Sequence, residues 1–401
     1  MGGLAAAGAV LAAAPVLKAE DPSVAPKIDR KIKVGIVGCG GRGSWIAGLF
    51  KQHGGYEFVA AADYHQNRAE KTGTALGADR ARCFSGLSGY KRLIESGVEA
   101  VILETPPYFF PDHAEAAVAA GLHVYMAKPV AVDVPGALKI GKLGKAAGGK
   151  KRVFLVDYQM PTDPVNLEVC KRVREGGLGA LQMVYSVGTS GGDGFSDPPL
   201  ADTIENRLVE LIWVNDTAIG CGHIGNFDIH VIDSVVWALE RRPVSAYGRG
   251  GRCRRDPHGD SSDTHFITYA FDDGLTWNHH SATGPTHDWL KQGSLEGSIQ
   301  GRDGAARLSY WGKAYVRGGP KHYGGGQIAD LYNAGASRNI AAFYRNVTDC
   351  LFENETAQRS VDSTLTCILG REASRRGTFL TMADLIKENK RLELDLKGLK
   401  A

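Results

Sequence analysis

The stretch GIVGCGGRGSWIAGLF, residues 35–50, decides the fold of this chain. A largely hydrophobic run leads into a turn with the spacing Gly38-x-Gly40-x-x-Gly43, and an apolar, helix-like segment follows. In a strand–turn–helix unit the first such glycine allows the tight turn, the second lets a pyrophosphate approach the backbone, and the third lets the helix pack on the strand. The helix N-terminus then offers free N–H groups to phosphate. The stretch predicts a dinucleotide-binding turn whose cofactor contacts come from Gly38, Gly40, Gly41, Arg42 and Gly43.

An acidic residue stands where such a cofactor would place a ribose. Asp63 lies near the end of the next hydrophobic segment, EFVAAADY (57–64), twenty residues after Gly43. A carboxylate at this position accepts hydrogen bonds from ribose hydroxyls and repels a 2′-phosphate, which favours NAD over NADP. Arg42 and Arg68 moderate that preference because their positive charge would attract a phosphate. The expected cofactor is NAD, with NADP less favoured.

The hydrophobic pattern changes near residue 160. Before it, short hydrophobic segments alternate with amphipathic ones, which is typical of a doubly wound parallel sheet. After it, alternating segments that turn at Gly or Asp predict a largely antiparallel sheet. The predicted helices of this second part lie at 164–175, 225–239, 336–353 and 359–380. We expect an α/β fold in which an N-terminal Rossmann domain precedes an α+β domain with a large, open-faced, mostly antiparallel sheet.

The chain begins with a segment unlike the rest. Residues 1–19 are rich in Ala, Gly, Val and Leu and resemble the apolar region and cleavage site of a secretory signal without its basic start. They predict export to the periplasm, by a twin-arginine route, and the alternative is the Ala-rich N-terminus of a cytoplasmic protein. Residues 20–31 are expected to form a linker, 32–158 the dinucleotide-binding domain, and 159–401 a domain for substrate binding and oligomerisation.

Composition narrows the class of protein. The 401 residues are 43% hydrophobic and 23% charged with a net charge of +3, which is ordinary for a globular enzyme and indicates neither nucleic acid nor membrane as a partner. None of the seven cysteines is spaced C-x-x-C, so neither a disulfide framework nor a zinc ribbon is expected. His223, Asp228 and His230 fit no standard set of metal ligands. We expect no metal.

Two positions suggest acid–base chemistry. Lys128 follows a predicted strand, at the edge where doubly wound sheets bind ligands. Burial would lower its pKa and suit it to proton transfer, and the alternative is a surface lysine beside a turn. In CGHIGNFDIHVIDSVVWAL (221–239), Asn226, His230 and Asp233 share one predicted helix face, so His230 could accept a hydroxyl proton. The alternative there is a solvated polar stripe.

Several stretches together resemble the Gfo/Idh/MocA family (glucose–fructose oxidoreductase, inositol dehydrogenase and rhizopine-catabolism proteins). The resemblance extends from residue 31 to about 390. It is carried by VGIVGCGGRG (34–43), AAADYHQNRAE (60–70), ETPPYFFPDHAEAAVAAGLHVYMAKPVAVD (104–133), CGHIGNFDIHVIDSVVWAL (221–239) and ILGREASRRG (368–377). The third stretch is similar to the family's T-P…H…E-K-P block, and the fourth to its D-x-x-x-H-x-x-D helix.

The resemblance implies an NAD(P)-dependent oxidoreductase that acts on a hydroxyl of a sugar, polyol or glycoside, and a homodimer or homotetramer. Carried over residue by residue, it implies catalysis by Lys128 and His230. The residues expected to add cofactor contacts are Thr105, Pro106, His113 and Lys128; those expected to line the substrate pocket are Tyr158, Gln159, Asn226 and Asp233. His279, His280, His287 and Trp289 are predicted either to touch substrate or to pack.

Two positions depart from the family pattern. The glutamate of E-K-P falls on Ala127, and the aspartate that precedes the family histidine falls on Asn226. An amide cannot accept a proton as a carboxylate does, so the predicted relay rests on His230 and Lys128 alone. Losing the glutamate also removes a partner that would hold the lysine charged.

Two alternatives to a simple dehydrogenase stay open. An exported protein that keeps its NAD could oxidise a glycoside, eliminate the C1 substituent, add water and reduce the ketone again, with net hydrolysis and no lasting NADH. A protein of this fold could also bind NAD or a sugar without turnover, because function depends on the site rather than the fold.

Overall fold

The computed structural model describes residues 28–191, 203–208, 210–252, 259–284 and 294–401. The first sheet in this part of the chain is built from six parallel strands. They are β1 (Ile32–Val37), β2 (Tyr56–Asp63), β3 (Cys83–Ser85), β4 (Ala100–Leu103), β5 (His123–Met126) and β6 (Phe154–Val156). Their spatial order is β3-β2-β1-β4-β5-β6. The order reverses between β1 and β4, and this switch point is where such sheets bind dinucleotides.

Helices connect these strands and bury both faces of the sheet. The helices are α1 (Gly41–His53), α2 (Gln66–Leu76), α3 (Gly89–Ile94), α4 (Phe110–Ala119) and α5 (Val134–Gly149). Every residue of β4 and β5 is buried, which explains why these strands appear in the sequence as continuous apolar runs. Asp133 caps α5 by accepting a hydrogen bond from the N–H of Gly136 at 2.8 Å.

The second sheet has nine strands among the described residues. They are β7 (Leu181–Gly191), β8 (Ser245–Gly251), β9 (Thr264–Ala270), β10 (Thr276–Gly284), β11 (Ser294–Gly301), β12 (Gly304–Ser309), β13 (Lys313–Gly318), β14 (Tyr323–Gln327) and β15 (Leu380–Thr381). Their order is β14-β13-β12-β11-β7-β10-β9-β8-β15. β7 and β10 pair in parallel and the other neighbours are antiparallel.

Helices cover one face of the second sheet and leave the other open. The helices of this half of the chain are α6 (Pro164–Arg174), α7 (Ile204–Arg207), α8 (Thr217–Gly220), α9 (Ile229–Leu239), α10 (Leu331–Thr348), α11 (Glu355–Arg376) and α12 (Met382–Glu388). α9 and α11 pack on the sheet and on each other. On the open face, Tyr185, Tyr247 and Phe266 are 43%, 49% and 61% exposed.

One helix of the second half returns to the first sheet. α10 packs on α1 and joins a hydrophobic cluster in which Ile340 and Phe343 meet Phe50 and Tyr125. Asn339 of α10 also donates its Nδ2–H to Asp157, which follows β6, at 2.7 Å. α10 therefore joins the second half of the chain to the first sheet, on the side where the predicted site lies.

The predicted fold class is confirmed by this architecture. Two small elements, β3 and α3, have no counterpart in the sequence prediction because each is too short to show a period. The predicted helix 225–239 begins instead as a π-helical turn, Ile224–Asp228, before α9. The signal-like segment 1–19 lies outside the described residues. Within the described ranges, no helix combines the length and apolar character that crossing a bilayer requires.

Candidate active site

The glycine turn has the geometry that the sequence predicts. Gly38 has a φ of 96°, and a Cβ at this position would lie 2.6 Å from the carbonyl carbon of Glu104. Around Gly41, no described heavy atom lies within 4 Å of the position a Cβ would take. α1 has no side-chain cap and no acidic residue in its first turn, so no side chain of the helix itself competes with an anion for its N–H groups.

Asp63 is fixed beside this turn by the backbone. Its Oδ2 accepts a hydrogen bond from the N–H of Cys39 at 2.7 Å, and its Oδ1 accepts one from the N–H of His65 at 2.9 Å. The carboxylate is thus held at the carboxyl end of β2, at the wall of the cavity described next. This is the position from which it could accept hydrogen bonds from a ribose.

A cavity of about 720 Å³ opens above the turn, which is within the range of cofactor sites. Of the residues predicted to bind cofactor, those that line it are Gly38, Gly40, Gly41, Arg42, Gly43, Asp63, Thr105, Pro106 and His113. Lys128 is not among its lining residues. Thr105 and His113 contact each other at 3.3 Å, and burial lowers the pKa of His113 to about 4. The open glycine turn and the carboxylate of Asp63 at the cavity wall are features that fit a nicotinamide dinucleotide.

A buried charged cluster adjoins the cavity. The guanidinium of Arg42 lies 3.0 Å from the carboxylate of Glu104 and 2.5 Å from that of Asp157, and both carboxylates are fully buried. Neither oxygen of Glu104 has a hydrogen-bond donor among the described residues. Burial raises the pKa of Glu104 to about 7, while Arg42 opposes that rise. Because the guanidinium of Arg42 already forms ion pairs with two carboxylates, it is poorly placed to bind a 2′-phosphate as well.

Lys128 connects this cluster to the second domain. Its ammonium donates a hydrogen bond to the backbone carbonyl of Asn226, in the turn that precedes α9. Burial lowers the pKa of Lys128 to about 7; Arg42 adds to the lowering, and Asp157 and Glu104 oppose it. The lysine therefore changes charge near neutral pH.

His230 lies on the first turn of α9, four residues after Asn226. Its ring is buried, contacts Tyr310 edge-on at 5.0 Å, and its Nδ1 has no hydrogen-bond partner among the described residues. Burial, followed by the positive charges of Lys128 and Arg42, lowers the pKa of His230 well below its usual value. The imidazole is therefore neutral at pH 7 and able to accept a proton.

The other predicted pocket residues are mostly engaged within the protein. Asp233 is fully buried, and its carboxylate contacts Arg359 at 3.2 Å and Ser363 at 2.8 Å, both on α11. This contact joins α9 to α11 and argues against the predicted contact with substrate. Gln159 is buried and donates to Asp157 at 3.3 Å, and the Tyr158 ring packs under Arg359. Asn226 contributes its carbonyl to Lys128.

A second polar cluster lies beneath the π-helical turn, between it and the sheet. Asp228 is fully buried and contacts Nε2 of His279 at 3.2 Å, and Nδ1 of His279 contacts Ser186 at 2.8 Å. His223 lies 3.8 Å from Asp228 and contacts Thr283 at 2.7 Å. This Asp228 cluster is internal to the domain. The contacts of His279 within this cluster make it a packing residue. His280 stacks on Phe266 with ring centroids 4.3 Å apart. His287 and Trp289 lie outside the described residues.

The structure also adds site residues that the sequence interpretation missed. Glu104 and Asp157 stand directly after β4 and β6, and Lys71 and Trp213 line the cavity together with Arg68, whose charge the sequence analysis had considered. The available signal was that each carboxylate follows a buried strand at the ligand-binding edge of the sheet. Within the described ranges, no group of three or more His, Cys, Asp or Glu side chains is placed to hold a metal, and the six described cysteines are free.

Comparison with known proteins agrees with this geometry. Residues 32–158 match the family model for Gfo/Idh/MocA, described as an oxidoreductase family with an NAD-binding Rossmann fold. Inositol 2-dehydrogenase 3 of Saccharopolyspora erythraea is 27% identical over 216 residues, which are 54% of this chain and 56% of that protein. The match thus spans little more than half the length of that relative.

Solved structures share the whole architecture. The aldose-aldose oxidoreductase from Caulobacter crescentus, complexed with glycerol, aligns with a TM-score of 0.66 at 19% identity, over 88% of this chain and 100% of that one. Levoglucosan dehydrogenase in complex with NADH and levoglucosan aligns with a TM-score of 0.70 at 16% identity, over 88% of this chain and 100% of that one. At these identities the likeness shows the fold.

The fold and the cavity together define a Rossmann-type parallel sheet with a cavity at its switch point, followed by a large, mostly antiparallel sheet. Residues 32–158 are similar to the NAD-binding Rossmann domain of the Gfo/Idh/MocA oxidoreductase family.

Proposed function

We propose that this protein is an NAD-dependent dehydrogenase that oxidises a secondary hydroxyl of a sugar, polyol or glycoside. The observation that carries the proposal is the hydrogen bond from Lys128 to the carbonyl of Asn226. It brings a lysine from the ligand-binding edge of the Rossmann sheet against the helix that carries His230, beside a cavity shaped for a dinucleotide. The sugar and polyol dehydrogenases among the similar proteins support the substrate class.

The residues have complementary roles in proton transfer. NAD, when bound, supplies the hydride acceptor. His230, buried and neutral beside Lys128, accepts the proton of the substrate hydroxyl. Lys128, whose pKa is lowered to about 7, donates a hydrogen bond to the developing alkoxide while His230 holds the substrate proton. Oxidation should therefore accelerate as pH rises through about 7, since a neutral Lys128 no longer lowers the pKa of His230.

The preference for NAD over NADP is part of the proposal. It is supported by the carboxylate of Asp63, which two backbone N–H groups hold at the cavity wall, and by Arg42, whose guanidinium is paired with Glu104 and Asp157. Arg68 and Lys71 also line the cavity and would favour a phosphate. Titrating the protein with NADH and NADPH, with nicotinamide fluorescence as the readout, tests the preference; equal dissociation constants would overturn it.

Activity is tested by offering the purified full chain a panel of polyols, aldoses and glycosides with added NAD. We expect NADH absorbance to rise with at least one member of the panel, and the rise to disappear in His230→Ala. A matched control is His322→Ala, an exposed histidine outside the site. No NADH with any member, in a preparation that binds NAD, would contradict the proposal.

The open face of the second sheet supports self-association. Tyr185 lies in register with Asn278, Thr268 and Tyr247 across β7, β10, β9 and β8, and Phe266 is in the neighbouring row. Large exposed aromatic side chains on one flat face indicate an interface. We propose that a homodimer or homotetramer forms through this face. Light scattering should show a Tyr185→Lys, Phe266→Lys variant to be monomeric, and an unchanged mass would remove this face from the interface.

Export remains a proposal carried by residues 1–19 alone. Expression of the natural gene followed by cell fractionation tests it. Recovery in the periplasm would support export, whereas recovery only in the cytoplasm with residues 1–19 still attached would contradict it.

A further inference from the structure

A buried carboxylate faces the position where the family pattern has its missing glutamate. The sequence has alanine at 127, immediately before Lys128, where the resemblance implies glutamate. In the first sheet, Leu103 of β4 pairs with Met126 of β5, and the N–H of Ala127 donates to the carbonyl of Leu103 at 3.1 Å. Glu104 is therefore the residue beside Ala127 on the neighbouring strand. The register thus brings the backbone of Glu104 beside the residue that precedes Lys128.

The Glu104 side chain has the surroundings of a functional carboxylate rather than of a structural one. It is fully buried, yet neither of its oxygens receives a hydrogen bond within the described residues. Its one close charged neighbour is Nε of Arg42 at 3.0 Å, and that Nε also lacks an aligned hydrogen bond. Leaving a buried carboxylate this poorly satisfied costs stability, which is typical of sites retained for chemistry.

The cluster around Lys128 is contributed by several elements. Arg42 comes from α1, Glu104 from the end of β4, Asp157 from the end of β6, His230 from α9, and Cys367 from α11. Tyr125, on β5, also faces Glu104. Of these groups, Asp157 is already satisfied by Arg42, Gln159 and Asn339. Glu104 is paired only with Arg42 in the described part of the chain, so it has fewer partners than Asp157.

We propose that Glu104 replaces the glutamate missing at position 127 and acts as the positioning residue that sets the charge of Lys128. The proposal rests on the dehydrogenase function given above, and it deepens that function by naming the group that balances the proton relay. When the proton of Lys128 passes to the carboxylate of Glu104, one positive and one negative charge are lost together. The buried cluster thereby keeps its net charge nearly constant during turnover. No co-reactant is needed, because only a proton changes place.

The test compares the full chain with NAD in four forms: wild type, Glu104→Gln, the relocated pair Glu104→Gln with Ala127→Glu, and the control Glu95→Gln. Glu95 is an exposed glutamate of the same domain. The readout is the pH at which the oxidation rate rises. Removing the negative charge of Glu104 should lower the pH of this rate increase by about one unit, because the pKa of Lys128 falls when the nearby carboxylate is lost. The relocated pair should return the rise to the wild-type pH, and Glu95→Gln should not move it.

A readout without turnover separates this proposal from the proposed function. Trace acylation of Lys128 at a series of pH values, quantified by mass spectrometry, reports the pKa of the lysine whether or not a substrate is known. We expect the labelling curve of Glu104→Gln to shift toward acid in the same way. If the Gln variant does not fold, Glu104→Asp, which withdraws the carboxylate by one methylene, should give a smaller acid shift. An unmoved labelling curve in a folded variant would overturn the role of Glu104, even if dehydrogenase activity is found.

Discussion

The molecule contains two buried polar clusters that differ in their position relative to the cavity. The Lys128 cluster, with Arg42, Glu104 and His230, adjoins the cavity, and Arg42 and Glu104 line it. The Asp228 cluster lies at the second domain's π-helical turn, where both ring nitrogens of His279 are bonded, and Asp228, His223 and His279 are not among the residues that line the cavity. Both clusters contain histidine and carboxylate, and each has a buried carboxylate oxygen without a hydrogen bond among the described residues, so neither feature separates them. Contact with the cavity marks the first cluster for chemistry and leaves the second as structure.

The largest expected effect is loss of turnover from the Lys128 cluster with the fold intact. His230→Ala and Lys128→Ala should each lower kcat by about 10²–10⁴-fold, the usual contribution of a positioned acid or base, while NADH binding stays within a few-fold of wild type. Rate assays and NADH fluorescence titration measure the two quantities. If a variant lost NADH binding and turnover together, the substituted residue would have a role in cofactor binding or in folding rather than in proton transfer.

The opposite pattern is expected for the Asp228 cluster. Asp228→Ala leaves His279 and His223 without their buried carboxylate, and should destabilise the protein by about 3–5 kcal/mol, as the loss of one partner of a buried pair does. The folded fraction should keep a normal kcat. Urea unfolding and the rate per folded molecule measure the effect, with Asp228→Asn as the isosteric control. A fall in kcat per folded molecule without loss of stability would make Asp228 part of the active site.

Acid should weaken the second domain through His265, a buried histidine close to the Asp228 cluster. His265 contacts Ser374 at 2.9 Å, and burial lowers its pKa from 6.5 to about 4. The unfolded chain binds a proton at this histidine more readily, so stability rises with pH between about 4 and 6.5 and is lost as pH falls through that window. For His265 alone the loss at pH 4 is on the order of 3 kcal/mol. Melting temperatures from pH 7 to 4 measure it, and His265→Gln should flatten the curve.

A smaller effect is expected at the cofactor cavity. Asp63→Ala removes the predicted ribose acceptor, and should weaken NADH binding by about 1.5–3 kcal/mol, roughly ten- to a hundredfold, with less effect on NADPH. Because the N–H groups of Cys39 and His65 also lose their acceptor, Asp63→Asn is the control that keeps a hydrogen-bonding group. If NADH and NADPH weakened equally, Asp63 would be a residue that supports the turn rather than one that selects the cofactor.

The sequence predicts the local geometry of the glycine turn and Asp63 better than it predicts contacts between distant segments. The glycine turn and Asp63 belong to one local strand–turn–helix–strand unit, whose residue spacing fixes their geometry. Glu104 and Ala127 are more than twenty residues apart, and only the register of β4 against β5 brings them together. Likewise Asn226, His230 and Asp233 were placed on one helix face, but the π-helical turn changes the helical phase before α9. Asp233 then packs against α11 while His230 lies near Lys128.

The central claim is hydride transfer from a substrate hydroxyl carbon to NAD at the Lys128 cluster. The most direct measurement offers the purified full chain a polyol, aldose and glycoside panel deuterated at the carbinol carbons, with mass spectrometry of the nicotinamide and release of aglycone followed together. The account predicts deuterium on the nicotinamide, net NADH with added NAD, and neither in His230→Ala. Aglycone released over many turnovers with no net NADH would instead indicate a closed redox cycle. NAD bound without deuterium transfer from any member of the panel would contradict the account.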